Sequence, residues 1–228
     1  MTMDAVIVTG GSSGLGAAVV DAVDKAGGRP FVIDRQPPPG DTPWIECDLA
    51  DTRAAEKATR EAVRMAGGVV DGVVTAAGFD VPGALDDVPG ETWDRIVTVD
   101  LLATAAVVRA ALPALKQTHG GVVTVASTLG IKAVADATAY CAAKFGVVGF
   151  TRALAAELAG QVNVTLVVPG GMRTNFFDER EERYKPGPDA KLNDPGNVAD
   201  AILFALQQPA GCAVRELVIA GETETSYP

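Results

Sequence analysis

Ala5-Val6-Ile7-Val8-Thr9-Gly10-Gly11-Ser12-Ser13-Gly14-Leu15-Gly16 decides the fold. The apolar run Ala5–Val8 reads as a strand that stops at Val8 or Thr9. The chain must then turn sharply into a helix, and glycines permit positive φ and let a ligand approach the backbone with no Cβ in the way. A helix starting near Gly14 aims its unpaired N–H groups and the positive end of its dipole at the turn. That is an anion site, and a dinucleotide pyrophosphate fits it. Ser12 and Ser13 offer hydroxyl donors to phosphate oxygens. Leu15, Val19, Ala22, Val23 and Ala26 share one helical face, and Gly27-Gly28 close the helix. A second strand, Phe31-Val32-Ile33, ends in Asp34, where a carboxylate can accept hydrogen bonds from a ribose 2′-OH.

Strand-like and helix-like segments go on alternating to the end of the chain. Gln36–Pro43 is a Pro-rich loop, and Trp44–Cys47 a short strand running into Asp48-Leu49. A helix is expected over Thr52–Ala66, closed by Gly67-Gly68, and a strand within Val69–Ala76, followed by Ala77-Gly78. Glu91–Gln117 reads as a long helix, bent or interrupted near Pro113. Strands at Val122–Ala126, Val162–Val168 and Glu216–Ala220 frame helices at Thr138–Ala159 and Gly196–Gln208. Pro169-Gly170 stop the middle one. The rhythm predicts an α/β fold, a doubly wound parallel sheet with helices on both faces. Residues 1–228 read as one domain, with the polar stretch 173–194 as a mobile substrate flap inside it.

Composition narrows the partners. The chain has 228 residues, 48% hydrophobic, which suffices for one large core. A net charge of -10 and a pI near 4.6 speak against nucleic acid or an anionic membrane as partner. No signal peptide and no membrane-spanning run is read. Cys47, Cys141 and Cys212 are scattered, which points to a reducing cytoplasm and to neither disulfide nor metal site. His119, the single histidine, reads as a solvated helix end, Cys141 as a small packing residue, and the charged run Asp178–Arg183 as a solvated face.

The chemistry is carried downstream. Tyr140 and Lys144 are four apart on a predicted helix, so they share a face. The ammonium is expected to lower the phenol's pKa and fit Tyr140 for proton transfer to a ketone or from an alcohol. Ser127 follows the Val122–Ala126 strand, at the end where parallel sheets bind ligands, and its hydroxyl can hold the substrate oxygen.

These segments resemble the classical short-chain dehydrogenases/reductases over nearly the whole chain. The family's cofactor motif matches Thr9–Gly16, and its catalytic Ser, Tyr and Lys fall on Ser127, Tyr140 and Lys144. Pro169-Gly170-Gly171-Met172-Arg173-Thr174 resembles the segment that holds the nicotinamide carboxamide, through Met172 backbone and the Thr174 hydroxyl. Asp48-Leu49 resembles the pair beside the adenine, and Ala76-Ala77-Gly78 the turn beside the cofactor. The resemblance implies a Rossmann fold, hydride transfer at nicotinamide, and Lys144 holding the nicotinamide ribose. It also implies a homodimer or homotetramer built on the two long helices, whose apolar residues exceed one core-facing stripe.

Two positions depart from the family pattern. Its Asn-Asn-Ala-Gly is here Thr75-Ala76-Ala77-Gly78, where Thr75 stands in for one lost Asn bond. Its relay Asn is here Asp100, which reads either as a tolerated substitution or as an altered relay to Lys144. Asp34 favours NAD over NADP, although Arg35 next to it could hold a phosphate. The reading is an NAD(H)-dependent oxidoreductase of a small alcohol or carbonyl substrate. The alternatives are a cofactor-binding relative of weak catalysis, in a sensor or assembly role, and an isomerase or dehydratase of the same family.

Overall fold

The computed structural model describes residues 4–209 and 211–226. Seven strands form one parallel sheet: β1 Ala5–Thr9, β2 Arg29–Asp34, β3 Trp44–Glu46, β4 Gly72–Thr75, β5 Gly121–Val125, β6 Asn163–Pro169 and β7 Glu216–Ile219, in the order β3-β2-β1-β4-β5-β6-β7. The chain winds outward from β1 through β2 to β3, then returns to β4 and winds the other way. The switch point therefore lies between β1 and β4, where such sheets open a ligand crevice at their carboxyl ends.

Strands buried on both faces explain the near-continuous apolar runs. Ile7 and Val73 face one layer, with Ala106, Leu115 and Leu154. Val6 and Val74 face the other, with Val19 and Ile202. Helices α1 Gly14–Lys25 and α6 Pro195–Leu206 cover the second face; α2 Thr52–Met65, α4 Ala103–Thr118 and α5 Thr138–Glu157 cover the first. Asp51 caps α2, accepting from the N–H groups of Arg53 and Ala54. His119 ends α4 in the left-handed region at φ 53°, exposed.

The expected interruption of the long helix at Pro113 is not found. Pro113 lies inside a continuous α4, and the irregularity comes earlier, where α3 Gly90–Val97 passes into a π-helical segment, Thr98–Leu102. The wider turn carries Asp100 into the interior. Gly90–Thr118 as a whole is long and apolar enough to cross a membrane, contrary to the sequence reading, but its buried face packs on the sheet and α2.

Candidate active site

The turn after β1 closes tightly. Gly10 and Gly14 have φ of 72° and 53°. A Cβ on Gly10 would stand 2.8 Å from the Ala77 Cα, and one on Gly16 2.0 Å from the Gly10 carbonyl oxygen. The Ala77 N–H donates to Thr9 Oγ1 at 3.3 Å, joining this turn to the loop after β4, where Ala76 and Gly78 also lie half-buried. Leu15 anchors α1 in the core. Ser13 precedes α1 in extended conformation, exposed, and makes no capping bond. Among the described residues the first-turn N–H groups thus have no side-chain partner, an arrangement that a phosphate completes.

Ser12 behaves differently from expectation. Its hydroxyl donates to Asp34 Oδ2 at 2.7 Å and its N–H to the same oxygen at 3.0 Å, so it holds the β2 carboxylate instead of facing a phosphate. Among the described residues Asp34 Oδ1 takes only the Gln36 N–H, at 3.2 Å, which leaves lone pairs for a ribose hydroxyl. Arg35 points to solvent. Asp48 is tied to Arg95 of α3 at 2.8 Å beside the buried Leu49.

Ser127, Tyr140 and Lys144 come together. Tyr140 and Lys144 rise from the start of α5, and Lys144 Nζ lies 5.4 Å from the centre of the Tyr140 ring. Ser127 follows β5 by two residues in extended conformation; its oxygen accepts the Leu129 N–H at 3.1 Å, and its hydroxyl also favours the ionised form of Tyr140.

Asp100 does more than replace an amide. Its Oδ2 lies 3.3 Å from Lys144 Nζ in a fully enclosed ion pair, and its Oδ1 accepts the Phe79 N–H at 3.0 Å. Lys144 Nζ donates to the Val125 carbonyl at 3.2 Å. Gly78 makes room, since a Cβ there would stand 2.8 Å from Asp100 Oδ2. Burial lifts Asp100 above the usual carboxylate range, against the pull of Lys144. Burial also pulls on the Lys144 ammonium, but Asp100, the phenol and Asp80 hold it above its ordinary value.

The Lys144 ammonium acts on the Tyr140 phenol in the expected direction, but it does not decide the net shift. Burial raises its pKa, Lys144 opposes this, and the Asp100 carboxylate adds to the rise. Four-residue spacing gave the ammonium but not the carboxylate behind it. Thr75 is a further correction: its buried hydroxyl has no hydrogen-bond partner among the described residues, so it replaces no Asn bond. The Thr9–Ala77 bond instead ties β1 to the loop after β4.

Beyond β6, which ends at Pro169, the Gly170 N–H donates to Ile219 at 2.9 Å. Met172 is half-buried, bridged to Asn193, and its carbonyl accepts the Thr174 N–H at 3.0 Å. Thr174 Oγ1 accepts from the Phe176 N–H at 3.3 Å and keeps its own proton free to donate. The Thr174 Cβ stands 3.4 Å from where a Gly14 Cβ would be, so the two loops meet. A cavity of about 600 Å³ opens behind them, lined by Arg173, Thr174, Phe177, Lys185 and Leu192.

The sequence reading missed three residues. Glu224, near the chain end, accepts the Gly171 N–H at 3.0 Å. Arg180 and Asp80 form a buried ion pair at 2.9 Å, although Arg180 falls in the run read as solvated. The only local signal was that Asp80 follows Gly78-Phe79 directly.

A family model described as short chain dehydrogenase matches residues 4–185. L-fucose dehydrogenase of Mus musculus is 28% identical over 243 residues, covering 97% of this chain and 89% of that protein. The 2,5-dichloro-2,5-cyclohexadiene-1,4-diol dehydrogenase LinX of Sphingobium indicum is 29% identical over 223 residues, covering 90% and 89%. Among solved structures, a short-chain dehydrogenase from Streptomyces avermitilis superposes with a TM-score of 0.82 at 27% identity, covering 97% of this chain and 89% of that one.

Proposed function

This chain belongs to the short-chain dehydrogenase family, and on that premise we propose that it is an NAD(H)-dependent oxidoreductase of a small hydroxylated alcohol or its carbonyl counterpart. The observation that carries the reading is the convergence of Ser127, Tyr140 and Lys144 beside Gly78, past the carboxyl ends of β4 and β5. The nicotinamide, when bound, supplies or accepts the hydride. The uncapped first turn of α1 and Gly10–Gly16 would hold the pyrophosphate, Asp34 the adenosine ribose, and Asp48-Leu49 the adenine edge. Ala76-Ala77-Gly78, the Met172 backbone and the Thr174 hydroxyl would line the nicotinamide half, with Lys144 on its ribose. Ser127 holds the substrate oxygen. Tyr140 gives that oxygen a proton in reduction and takes one from it in oxidation.

Asp34 supports NAD, because a 2′-phosphate would be repelled. The two curated relatives are named for a sugar and a diol, which supports a small substrate bearing several oxygens. The exposed Leu102 and Phe145, at 49% and 44%, support a homodimer or homotetramer through α4 and α5. The acidic surface and scattered cysteines support a cytoplasmic location without nucleic-acid or membrane partner. A panel of alcohols and carbonyls, followed at the reduced-nicotinamide absorbance, tests the reading. Tyr140→Phe should lower turnover by about 10²–10⁴-fold with cofactor binding retained. Wild-type turnover in that variant refutes the role. The direct Asp100–Lys144 pair favours the second reading, a cofactor-binding relative of weak catalysis, and the same panel returning no turnover while NADH binds would select it.

A further inference from the structure

Hydride transfer does not require the ion pair between Arg180, in the segment after β6, and Asp80, in the loop after β4. Arg180 Nη2 donates to Asp80 Oδ2 at 2.9 Å, with 13% and 3% of the two side chains exposed. The guanidinium carbon lies 4.8 Å from the ring centres of both Phe176 and Phe177. The Phe176 ring stands 5.7 Å from that of Tyr140. The Phe176 ring therefore links the pair to the phenol proposed to move the proton.

One donor of this assembly is left over. Arg180 Nε is buried and has no acceptor among the described residues. A guanidinium presents Nε–H and one Nη–H as a side-on fork for two oxygens. Asp80 occupies one prong with a single oxygen; the other prong is empty of protein acceptors. A buried N–H without an acceptor is a standing cost, and at a site it marks where a ligand oxygen belongs.

Charge decides which oxygen. Asp80 already balances Arg180, and Asp100 balances Lys144. A ligand carboxylate on the free prong would share one guanidinium with Asp80, whose own charge burial already opposes by lifting its pKa to about 6. A neutral hydroxyl or carbonyl oxygen completes the fork without adding charge.

We propose that Arg180 determines specificity by donating from Nε to a neutral oxygen on the carbon next to the reacting one, so that the substrate is a vicinal diol or the matching α-hydroxy ketone. This rests on the oxidoreductase reading and names its substrate class.

The test compares cis-1,2-cyclohexanediol with cyclohexanol, using NAD, in the wild type, in Arg180→Lys and in Arg180→Met/Asp80→Asn. The double variant avoids stranding a buried carboxylate. The lysine variant keeps the charge but has no fork, and it carries the test if the double variant does not fold. The wild type should favour the diol in kcat/KM by about 10- to 100-fold, the value of a hydrogen bond to a charged group. Both variants should bring that ratio to near one, with the Kd for NADH unchanged. Calorimetric titration of the diol into the protein–NADH complex should show binding that the variants lose. A ratio kept in both variants overturns the proposal, as does a wild type that prefers lactate or mandelate to the diol, or shows no diol binding by calorimetry. If no alcohol is oxidised but the diol binds in an Arg180-dependent manner, the subsite stands and the oxidoreductase reading falls.

Discussion

Asp80→Asn removes a carboxylate that burial lifts to about 6, from an ordinary 3.8. Its side chain is 3% exposed, and it meets Arg180 at 2.9 Å. At an effective dielectric near 20, two unit charges at that distance attract by about 6 kcal/mol. Burial outweighs the attraction, with the nearby Asp100 adding to the rise. Burial lowers the Arg180 pKa for the same reason. Both partners thus register the charged pair as unfavourable to the folded state, as buried ion pairs often are.

The sign follows from linkage. A carboxyl whose folded pKa is raised contributes stability that is fully present below its unfolded value and lost as pH rises through its folded value. The rise from 3.8 to about 6 corresponds to about 3 kcal/mol. The wild type should therefore lose about 3 kcal/mol relative to Asp80→Asn between pH near 4 and pH near 7. Urea unfolding of the two cofactor-free proteins across a pH series measures this, because the common background of other titrating groups cancels in the difference. The reasoning concerns how that difference changes with pH, so the starting stability of the variant does not enter. A difference that stays constant across the series, or that changes in favour of the wild type as pH rises, refutes it.

Three further outcomes are expected. Ultraviolet titration of the cofactor-free protein, wild type minus Tyr140→Phe, should place the Tyr140 phenolate above the ordinary value near 10; Asp100→Asn should move it down, and a wild-type phenolate at neutral pH would contradict the reading. Fluorescence titration should give a lower Kd for NADH than for NADPH, and Asp34→Ala should narrow that gap; tighter NADPH binding by the wild type would transfer the cofactor choice to Arg35. Light scattering at micromolar concentration should report a dimer or tetramer of the 23.4 kDa chain, and a fully active monomer would rule out assembly through α4 and α5.

The parts of this molecule that were legible in its sequence are those with short-range signatures. Gly10, Gly14 and Gly16 announced the turn, and Gly67-Gly68 the end of α2, expected at Ala66 and found at Met65. Tyr140 and Lys144 were legible because four residues along a helix is a contact distance in itself. Pro113 misled, because the chain absorbs its missing N–H inside α4 and places the irregular turn at Asp100 instead. What that turn achieves cannot be read from neighbours in the chain. It sets a carboxylate 3.3 Å from Lys144, 44 residues away, and that charge adds to the rise burial imposes on the Tyr140 pKa.

Arg180 and Asp80 are the extreme case, 100 residues apart and each surrounded by unremarkable sequence. A run of alternating acids and arginines looks the same whether it faces water or carries one member inward. The distinction matters for function. An ion pair that works against the folded state needs a reason other than stability for its place in the molecule. The unpaired Nε of a guanidinium that packs on two phenylalanine rings, one of them against Tyr140, supplies that reason if a substrate oxygen completes it. The same guanidinium then has two duties. It holds the segment after β6 against the loop after β4, and it reads the oxygen next to the reacting carbon. Arg180→Lys separates them, since an ammonium can keep the Asp80 contact but cannot offer two parallel donors.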